Sequence, residues 1–246
     1  MIFLFTDFGV AGPYVGQMKA VLHRHAPTVP VIDLFADAPV HNIHANAYLL
    51  AAYAESFEKG TVFLAVVDPG VGSEDRPAVV VNCDGRWFVG PGNGLFDVVI
   101  RRGQQCQQWE ILWRPEHLSS SFHGRDLFAP VAAMLATDQQ PDLELLPVDK
   151  VRLLQLPEEL AEVIYIDHFG NLISGIRASA LGQDACLHYH NQLIPRVKTF
   201  ANVASGSPLC YENSNGLLEI ALNQGRAEDH FGAKVGDVLR VVTPQA

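Results

Sequence analysis

The chain has 246 residues, of which 48% are hydrophobic and 18% are charged. This balance supplies the apolar side chains of a full core and argues against disorder over most of the length. Lys and Arg number 17 against 27 Asp and Glu, a net charge of −10. A protein that wraps a nucleic-acid backbone is therefore not expected.

The cysteines and the apolar runs indicate the cellular compartment in which the protein is expected. Cys83, Cys106, Cys186 and Cys210 form no CxxC pair and fit no zinc spacing. A chain of this length needs no disulfide framework, so we expect four buried free thiols. No apolar run approaches the roughly 20 residues that span a bilayer. The start MIFLFTDFG lacks the basic residues of a signal peptide. These features predict a cytoplasmic protein with no membrane partner.

The first 146 residues alternate short apolar runs with segments of helical spacing. Strands are predicted at Met1–Thr6, Val29–Phe35, Thr61–Val67, Ala78–Cys83 and Arg86–Val89. Helices are predicted at Tyr14–His25, His44–Phe57, Leu95–Arg101 and Asp126–Ala136. This alternation indicates a mostly parallel α/β sandwich domain over residues 1–146.

The pattern changes after residue 146. Residues 147–160 read as an irregular connector, and residues 161–246 contain short β-rich pieces with no long helical pattern between them. The pieces are Glu162–Ile166, Leu172–Arg177, Cys186–His190, Gln192–Pro195, Gly216–Ala221 and Val238–Val242. We therefore predict a small C-terminal β-barrel domain over residues 161–246.

Two acidic residues follow predicted buried strands, where an α/β fold places its sites. Asp7 follows the first strand and could accept hydrogen bonds from a ribose diol, or it could be a turn or helix-cap residue. Asp68 ends a later strand, and the loop DPGVGSEDR could bring it to Arg76. An ordinary loop salt bridge would give the same pattern.

Glycine-rich and histidine-containing segments form a second group. GPGNG at residues 90–94 lacks the lysine of a phosphate loop, so phosphate binding is weakly supported. His123 precedes a predicted helix, whose dipole would favour a neutral imidazole, although a lone histidine is usually structural. The pairs His41/His44 and His188/His190 have no nearby third ligand, so no metal site is predicted.

The C-terminal part contains two polar segments, DHFGN at residues 167–171 and YENSNG at residues 211–216. Aromatic, Asn and Ser side chains suit stacking on a heterocycle and hydrogen bonding to its edge. Turn chemistry between short strands explains the same residues equally well.

Seven segments occur in order along the chain: FTDFG, YVGQMKAVL, VVDPGVGS with Arg76, GPGNGLF, FHGRDLFAP, IDHFGN and NSNGLLEIALN. Together they resemble the S-adenosyl-L-methionine (SAM) hydroxide adenosyltransferases, or SAM hydrolases, relatives of the fluorinase and chlorinase enzymes. The resemblance implies an N-terminal α/β domain, a C-terminal β-barrel and a homotrimer with sites between subunits. It also implies hydrolysis of SAM, without a metal or other cofactor, to adenosine and L-methionine.

The resemblance also implies residue roles. Asp68, Arg76 and His123 match the water-activating trio, where halide-using relatives have Tyr in place of Asp68 and Tyr-Ser in place of His123-Gly124. Gly12 and His41 depart from the halogenase pattern, which leaves the packing around the ribose open. The resemblance implies Asp7 for the ribose diol, Phe169 and Asn171 for adenine, and Asp167, Ser214 and Asn215 for the methionine end. With Tyr211 and Glu219 added, these residues form the predicted substrate-binding set.

The sequence thus predicts a metal-independent SAM hydrolase. A halide-dependent adenosyl transferase is the nearest alternative, and the Asp68 carboxylate disfavours it because it would repel an anion. A non-catalytic SAM- or adenosine-binding protein is the alternative from another class, and it would not need the trio.

Overall fold

The computed structural model describes residues 1–73, 76–137, 144–148 and 154–242. Part of the predicted connector, residues 149–153, lies outside the described residues. The chain divides into two compact units, Met1–Gln155 and Leu156–Ala246. No helix in the described ranges is long and apolar enough to cross a membrane.

The N-terminal unit is built on one seven-stranded sheet with the order β2-β1-β3-β5-β4-β6-β7. Its strands are β1 Ile2–Thr6, β2 Val31–Phe35, β3 Val62–Val66, β4 Ala78–Cys83, β5 Arg86–Pro91, β6 Cys106–Ile111 and β7 Leu145–Pro147. Its helices are α1 Tyr14–His25, α2 Ile43–Ala54, α3 Asp97–Arg102 and α4 Ala129–Ala136, and a π-helical turn, Gly124–Phe128, leads into α4.

The expectation of a mostly parallel sheet is wrong for half of the pairings. Strands β2, β1, β3 and β5 are parallel, whereas β5, β4, β6 and β7 pair antiparallel. The reason is a two-residue turn at Asp84-Gly85, where both residues have positive φ, +53° and +84°. Asp-Gly in this conformation reverses the chain as a tight hairpin and joins β4 directly to β5.

Both faces of the central strands are buried, which explains their continuous apolar sequences. On one face Leu4 and Leu64 pack with Met18 and Leu22 of α1 and with α4. On the other face phenylalanine rings stack across neighbouring strands, with Phe63 and Phe88 centroids 5.0 Å apart. The carboxyl ends of β1, β3 and β5 therefore lie side by side on a rigid support.

The expectation of four free thiols is wrong for two of the cysteines. Cys83 of β4 and Cys106 of β6 are register partners and form a disulfide, with their Cα atoms 4.1 Å apart. Cys186 and the buried Cys210 are free. A separation of 23 residues in sequence does not reveal this pairing, because it depends on how β4 and β6 align.

The C-terminal unit contains two antiparallel sheets around one core. One sheet has the order β12-β13-β9-β8 and the other β11-β10-β14. The elements are β8 Leu160–Ile166, β9 Leu172–Arg177, β10 Cys186–Tyr189, β11 Gln192–Ile194, β12 Pro208–Glu212, β13 Leu217–Leu222, the short helix α5 Ala227–Phe231, and β14 Arg240–Val242. Single bridges pair Glu162 of β8 with Val238, two residues before β14, and Cys210 of β12 with Arg196, two residues after β11. These bridges do not amount to a closed sheet, so the barrel stays a prediction.

Helix α3 is hydrogen-bonded to Leu154, near the C-terminal end of the N-terminal unit. The backbone N–H of Leu154 donates to the Asp97 carboxylate, and its carbonyl accepts from Arg101 Nη2 at 3.5 Å. Asp97 is only 2% exposed. Burial raises the pKa of its carboxyl from the ordinary 3.8 to about 6, against the opposing effects of Leu154 and Arg101.

We expect Asp97→Asn to flatten the pH dependence of stability. Because the pKa is higher in the folded state, this carboxyl's contribution is fully present below about pH 3.8 and is lost as the pH rises through about 6. A pKa shift of this size corresponds to a change of about 3 kcal/mol in the free energy of unfolding. Urea unfolding near pH 4 and near pH 7 should show a smaller difference in Asp97→Asn than in the wild type or in the exposed control Asp33→Asn. Equal differences in all three proteins would contradict this.

Candidate active site

The carboxyl edge of the parallel strands gathers three polar residues. Asp7 follows β1, Asp68 follows β3, and Asn93 follows β5. Asn93 Nδ2 donates to the carbonyl of Val67 at 2.9 Å and so ties the loop after β5 to the segment that carries Asp68. The edge of the sheet thus fixes the backbone on which Asp68 stands.

Asp68 and Arg76 come together as the sequence predicts. Arg76 Nη1 lies 3.8 Å from Asp68 Oδ1, and the side chains are 41% and 9% exposed respectively. The N–H of Gly70 also donates to Asp68 Oδ1, at 3.3 Å. The guanidinium lies directly against the backbone of Gly70, where a Cβ would collide with it. Glycine at position 70 therefore permits the approach of Arg76, a role that the sequence alone does not reveal.

The electrostatics of Asp68 balance burial against nearby positive charge. Burial raises the pKa of the Asp68 carboxyl above its ordinary value. The Gly70 N–H, the Arg76 guanidinium and His123 act in the opposite direction. A carboxylate with a raised pKa is a better proton acceptor than one in water.

Two cavities of the N-terminal unit meet at Asp68, His123 and Phe128. The first, of about 380 Å³, carries the charged side chains and is called the charged cavity here; its other polar side chains are Ser73, Arg76, Glu110, Arg114 and Ser120. The second, of about 460 Å³, is called the aromatic cavity; its other side chains include Phe8, Tyr14, Val66, Val71, Ser121 and Phe122. Two members of the predicted trio, Asp68 and His123, thus stand at the junction of two unlike spaces, and the third, Arg76, lines the charged cavity alone.

Three rings form one wall of the aromatic cavity. Phe8, Tyr14 and Phe122 contact one another edge to face, with centroids 5.5–6.0 Å apart. Arg125 lies over Phe122 at 5.0 Å and is paired with Asp126 through bonds of 2.6 and 2.9 Å. The spacing of these rings along the chain gives no sign that they form a cluster.

Asp7 engages the loop after β2. Its Oδ2 accepts a hydrogen bond of 2.9 Å from the backbone N–H of His41, a residue with φ of +59°. Asp7 therefore organises the strand edge in this structure, which agrees with the turn role left open by the sequence and leaves the ribose role a proposal.

The first predicted segment of the C-terminal unit is a tight loop around Asp167. Its Oδ1 accepts from the N–H groups of Phe169 and Asn171 at 2.9 and 2.8 Å, and Asn171 Nδ2 donates to its Oδ2 at 3.3 Å. Asn171 is 8% exposed, whereas the ring of Phe169 is 70% exposed. The loop presents an aromatic face beside an oriented amide.

Glu219 lies at the centre of the second segment. It is 5% exposed; Tyr211 Oη donates to its Oε1, and Asn213 Nδ2 donates to its Oε2 at 3.1 Å. Burial raises the pKa of the Glu219 carboxyl. Burial and the hydrogen bond to Glu219 likewise raise the pKa of Tyr211. Both carboxylate oxygens are thus used within the fold, which favours a supporting role for Glu219.

Asn213, which the predicted set lacks, connects Glu219 to the loop of Ser214 and Asn215. Its Oδ1 accepts from the N–H groups of Asn215 and Leu217, each at 3.0 Å. Ser214 is exposed. The sequence feature that could have pointed to Asn213 is its position in a turn-rich segment, where Asn side chains commonly bond to the backbone. In the described part of the chain, no group of three or more His, Cys, Asp or Glu side chains could hold a metal ion.

Comparison with known proteins decides the family. Models of the SAM hydroxide adenosyltransferase N-terminal and C-terminal domains match residues 2–144 and 161–240. The chain belongs to the SAM hydroxide adenosyltransferase family. The (R)-S-adenosyl-L-methionine hydrolase of Salinispora tropica is 39% identical over 96% of this chain and 95% of its own length. That of Thermus thermophilus is 34% identical over 98% and 99%.

More distant relatives and a solved structure complete the comparison. The fluorinase of Actinopolyspora mzabensis is 24% identical over 98% of this chain and 96% of its own. A crystal structure of an uncharacterized conserved protein from Thermotoga maritima superposes with a TM-score of 0.88 at 31% identity, covering 98% of this chain and 99% of that one. The resemblance read from the seven segments is therefore confirmed at the level of the family.

We expect the pKa of Asp68 to rise when the guanidinium is removed or displaced. Arg76→Ala removes the positive charge, and Gly70→Ala adds a methyl group where the flexible guanidinium lies, so Arg76 must move. Both variants should raise the carboxyl pKa followed by ¹³C NMR titration. Gly16→Ala, with open space at its Cβ, is the matched control and should leave it unchanged. An unaltered pKa in Arg76→Ala would show that Arg76 does not act on Asp68.

Proposed function

We propose that this protein hydrolyses SAM to adenosine and L-methionine by attack of water at C5′. The observation that carries the proposal is Asp68 beside Arg76, with His123 at the same cavity junction, in a chain 34–39% identical to two SAM hydrolases. We propose no resident metal or cofactor, since the reaction needs neither for the leaving group.

In this reaction the water needs to be activated, whereas the leaving group does not. The sulfonium of SAM is already positively charged, and cleavage of the C5′–S bond leaves its electron pair on sulfur as a neutral thioether. Water, by contrast, is a weak nucleophile. It must be held in line with the C5′–S bond and lose a proton as the new C–O bond forms.

Each member of the trio has a distinct task in this proposal. Asp68, with its pKa raised by burial, orients the water and accepts its proton. Arg76 holds the carboxylate in place and stabilises developing hydroxide character. His123 completes the hydrogen bonds of the water.

The proposed substrate-binding residues contact different parts of SAM. Phe169 offers a ring for stacking, and Asn171 offers an oriented amide to the adenine edge. Asp7 is proposed for the ribose diol. Asp167, Ser214 and Asn215 are proposed for the methionine end. Tyr211 and Glu219 complete the set, and their mutual hydrogen bond supports an indirect contribution through the loop they hold.

Two alternative functions would require different features of the site. A halide-dependent transferase would need an anion beside Asp68, and this largely buried carboxylate repels an anion. A non-catalytic SAM- or adenosine-binding protein would need neither the ion pair of Asp68 with Arg76 nor a carboxyl of raised pKa at the cavity junction.

Further features predicted from the sequence pattern and from the family resemblance are also proposals. We propose a division into an α/β domain over 1–146, a connector over 147–160 and a barrel over 161–246. The two sheets joined by single bridges support the barrel. We also propose a homotrimer with sites between subunits and a cytoplasmic location.

The test is to incubate SAM with the wild type and with Asp68→Asn, Arg76→Ala and His123→Ala, and to quantify adenosine and methionine by chromatography. The wild type should form the two products in equal amounts. Each variant should lose at least about tenfold in kcat, the low side of general-base and positioning effects. The dissociation constant for SAM should change much less, because the trio faces the water.

The exposed residues Asp33, Arg24 and His23 provide matched controls. Asp33→Asn, Arg24→Ala and His23→Ala should keep wild-type turnover. A wild type that binds SAM without turning it over would favour the binding protein, and a 5′-halo-adenosine product in chloride or fluoride would favour the transferase. Near-wild-type rates in all three trio variants would refute the proposed mechanism.

A further inference from the structure

Arg226 holds the loop between β8 and β9, residues 167–171, against the rest of the C-terminal unit. Hydrogen bonds to Asp167 give this loop its internal shape, but they do not fix how the loop is oriented on the core. Arg226 Nη1 donates to the carbonyl oxygen of His168 at 2.7 Å. A hydrogen bond from a charged guanidinium is stronger than one between neutral groups, so this contact is a firm attachment point.

The fit of Arg226 against the loop depends on Gly170. This glycine has a φ of +79°, and a Cβ at its position would approach Cβ, Cζ and Nε of Arg226 to 2.9–3.1 Å. The carbonyl of Gly170 also accepts a hydrogen bond of 2.9 Å from the backbone N–H of Glu228 in α5. The Arg226 side chain and helix α5 thus hold the same loop at two of its carbonyl groups.

Arg226 is itself held in place by acidic residues of α5. Its Nη2 donates to the Glu228 carboxylate at 2.6 Å, and its Nε lies 3.3 Å from Asp229 Oδ2. Helix α5 is anchored in the core of the unit through Ala227, which is fully buried, and Phe231, which is 8% exposed. The guanidinium therefore bridges a helix anchored in the core to the loop, and the two carboxylates balance its charge.

The contacts of Arg226 lie at the surface. The side chains of Arg226, Glu228 and Asp229 are 44%, 38% and 73% exposed, and ion pairs of this kind contribute little to stability. Loss of Arg226 should therefore change the loop more than the stability of the unit. The loop carries Phe169, whose ring is 70% exposed and so has little packing of its own to keep it in place.

We propose that Arg226 is a positioning residue for the adenine end of the substrate. It acts through the loop, by fixing the angle at which the loop presents the Phe169 ring and the Asn171 amide. This inference rests on the proposed hydrolysis of SAM and on the adenine contacts proposed for those two residues. A loop that is already ordered loses less conformational entropy when a ligand binds. Arg226 should therefore contribute to affinity and not to the chemical step.

The experiment measures adenosine binding by calorimetry and steady-state hydrolysis of SAM for the wild type, Arg226→Ala and Arg196→Ala. Arg226→Ala should raise the Kd for adenosine and the KM for SAM about tenfold, and change kcat by less than about twofold. Arg196 is the matched control, because it also donates to backbone carbonyls of the C-terminal unit, those of Ala178 and Gly182, each at 3.1 Å. Arg196→Ala should leave all three constants unchanged.

A double-mutant cycle with Phe169→Ala tests whether Arg226 acts through the loop. In the Phe169→Ala background the ring is absent, so Arg226→Ala should raise the Kd for adenosine only about two- to threefold. The same fold-change in both backgrounds would overturn the inference. Circular dichroism checks folding, and Arg226→Met, which keeps the apolar stem and removes the donors, replaces Arg226→Ala with the same expected results if that variant does not fold.

The outcomes separate this inference from the proposed function. A wild type that binds neither adenosine nor SAM refutes the proposed function, and the inference with it. If the wild type binds adenosine and Arg226→Ala binds it equally well, the role of Arg226 alone is overturned. Equal losses of affinity in Arg226→Ala and Arg196→Ala also overturn it, because they would reflect general loosening of the unit.

Discussion

The site depends on keeping a largely buried carboxylate beside a guanidinium. Burial of Asp68 disfavours its charge, and Arg76 at 3.8 Å restores part of the balance. A fully exposed carboxylate would be a weak base, and a buried one without a positive neighbour would stay protonated. In the proposed mechanism, this intermediate position is what lets Asp68 both hold a water and accept its proton.

The fold provides this balance through backbone placement. Parallel strands β1, β3 and β5 end at one edge, so the segments after them lie side by side without a long loop. Gly70 lets the guanidinium approach the chain, and Asn93 fixes the backbone beside Asp68. The stacked phenylalanines beneath these strands make the edge a rigid base for the two cavities.

Sequence patterns predicted the elements whose signal is local. Helix α1 has the predicted bounds Tyr14–His25 because Met18 and Leu22 repeat at helical spacing, and β4 likewise matches at Ala78–Cys83. Strand β6 was missed because Gln107 and Gln108 give it no apolar alternation. The disulfide and the roles of Gly70 and Asn213 depend on register and on contacts between distant segments. The motif positions located Asp68, Arg76 and His123, but only the folded chain shows that Asp68 and His123 line two unlike cavities at once.

The central claim is that water, and no other nucleophile, attacks C5′ of SAM. The most direct measurement is reaction of SAM in ¹⁸O-water, with mass spectrometry of both products. The account predicts that the label enters the 5′-oxygen of adenosine and that L-methionine stays unlabelled. Unlabelled adenosine would contradict it, because the oxygen would then have come from a donor other than the water held by Asp68.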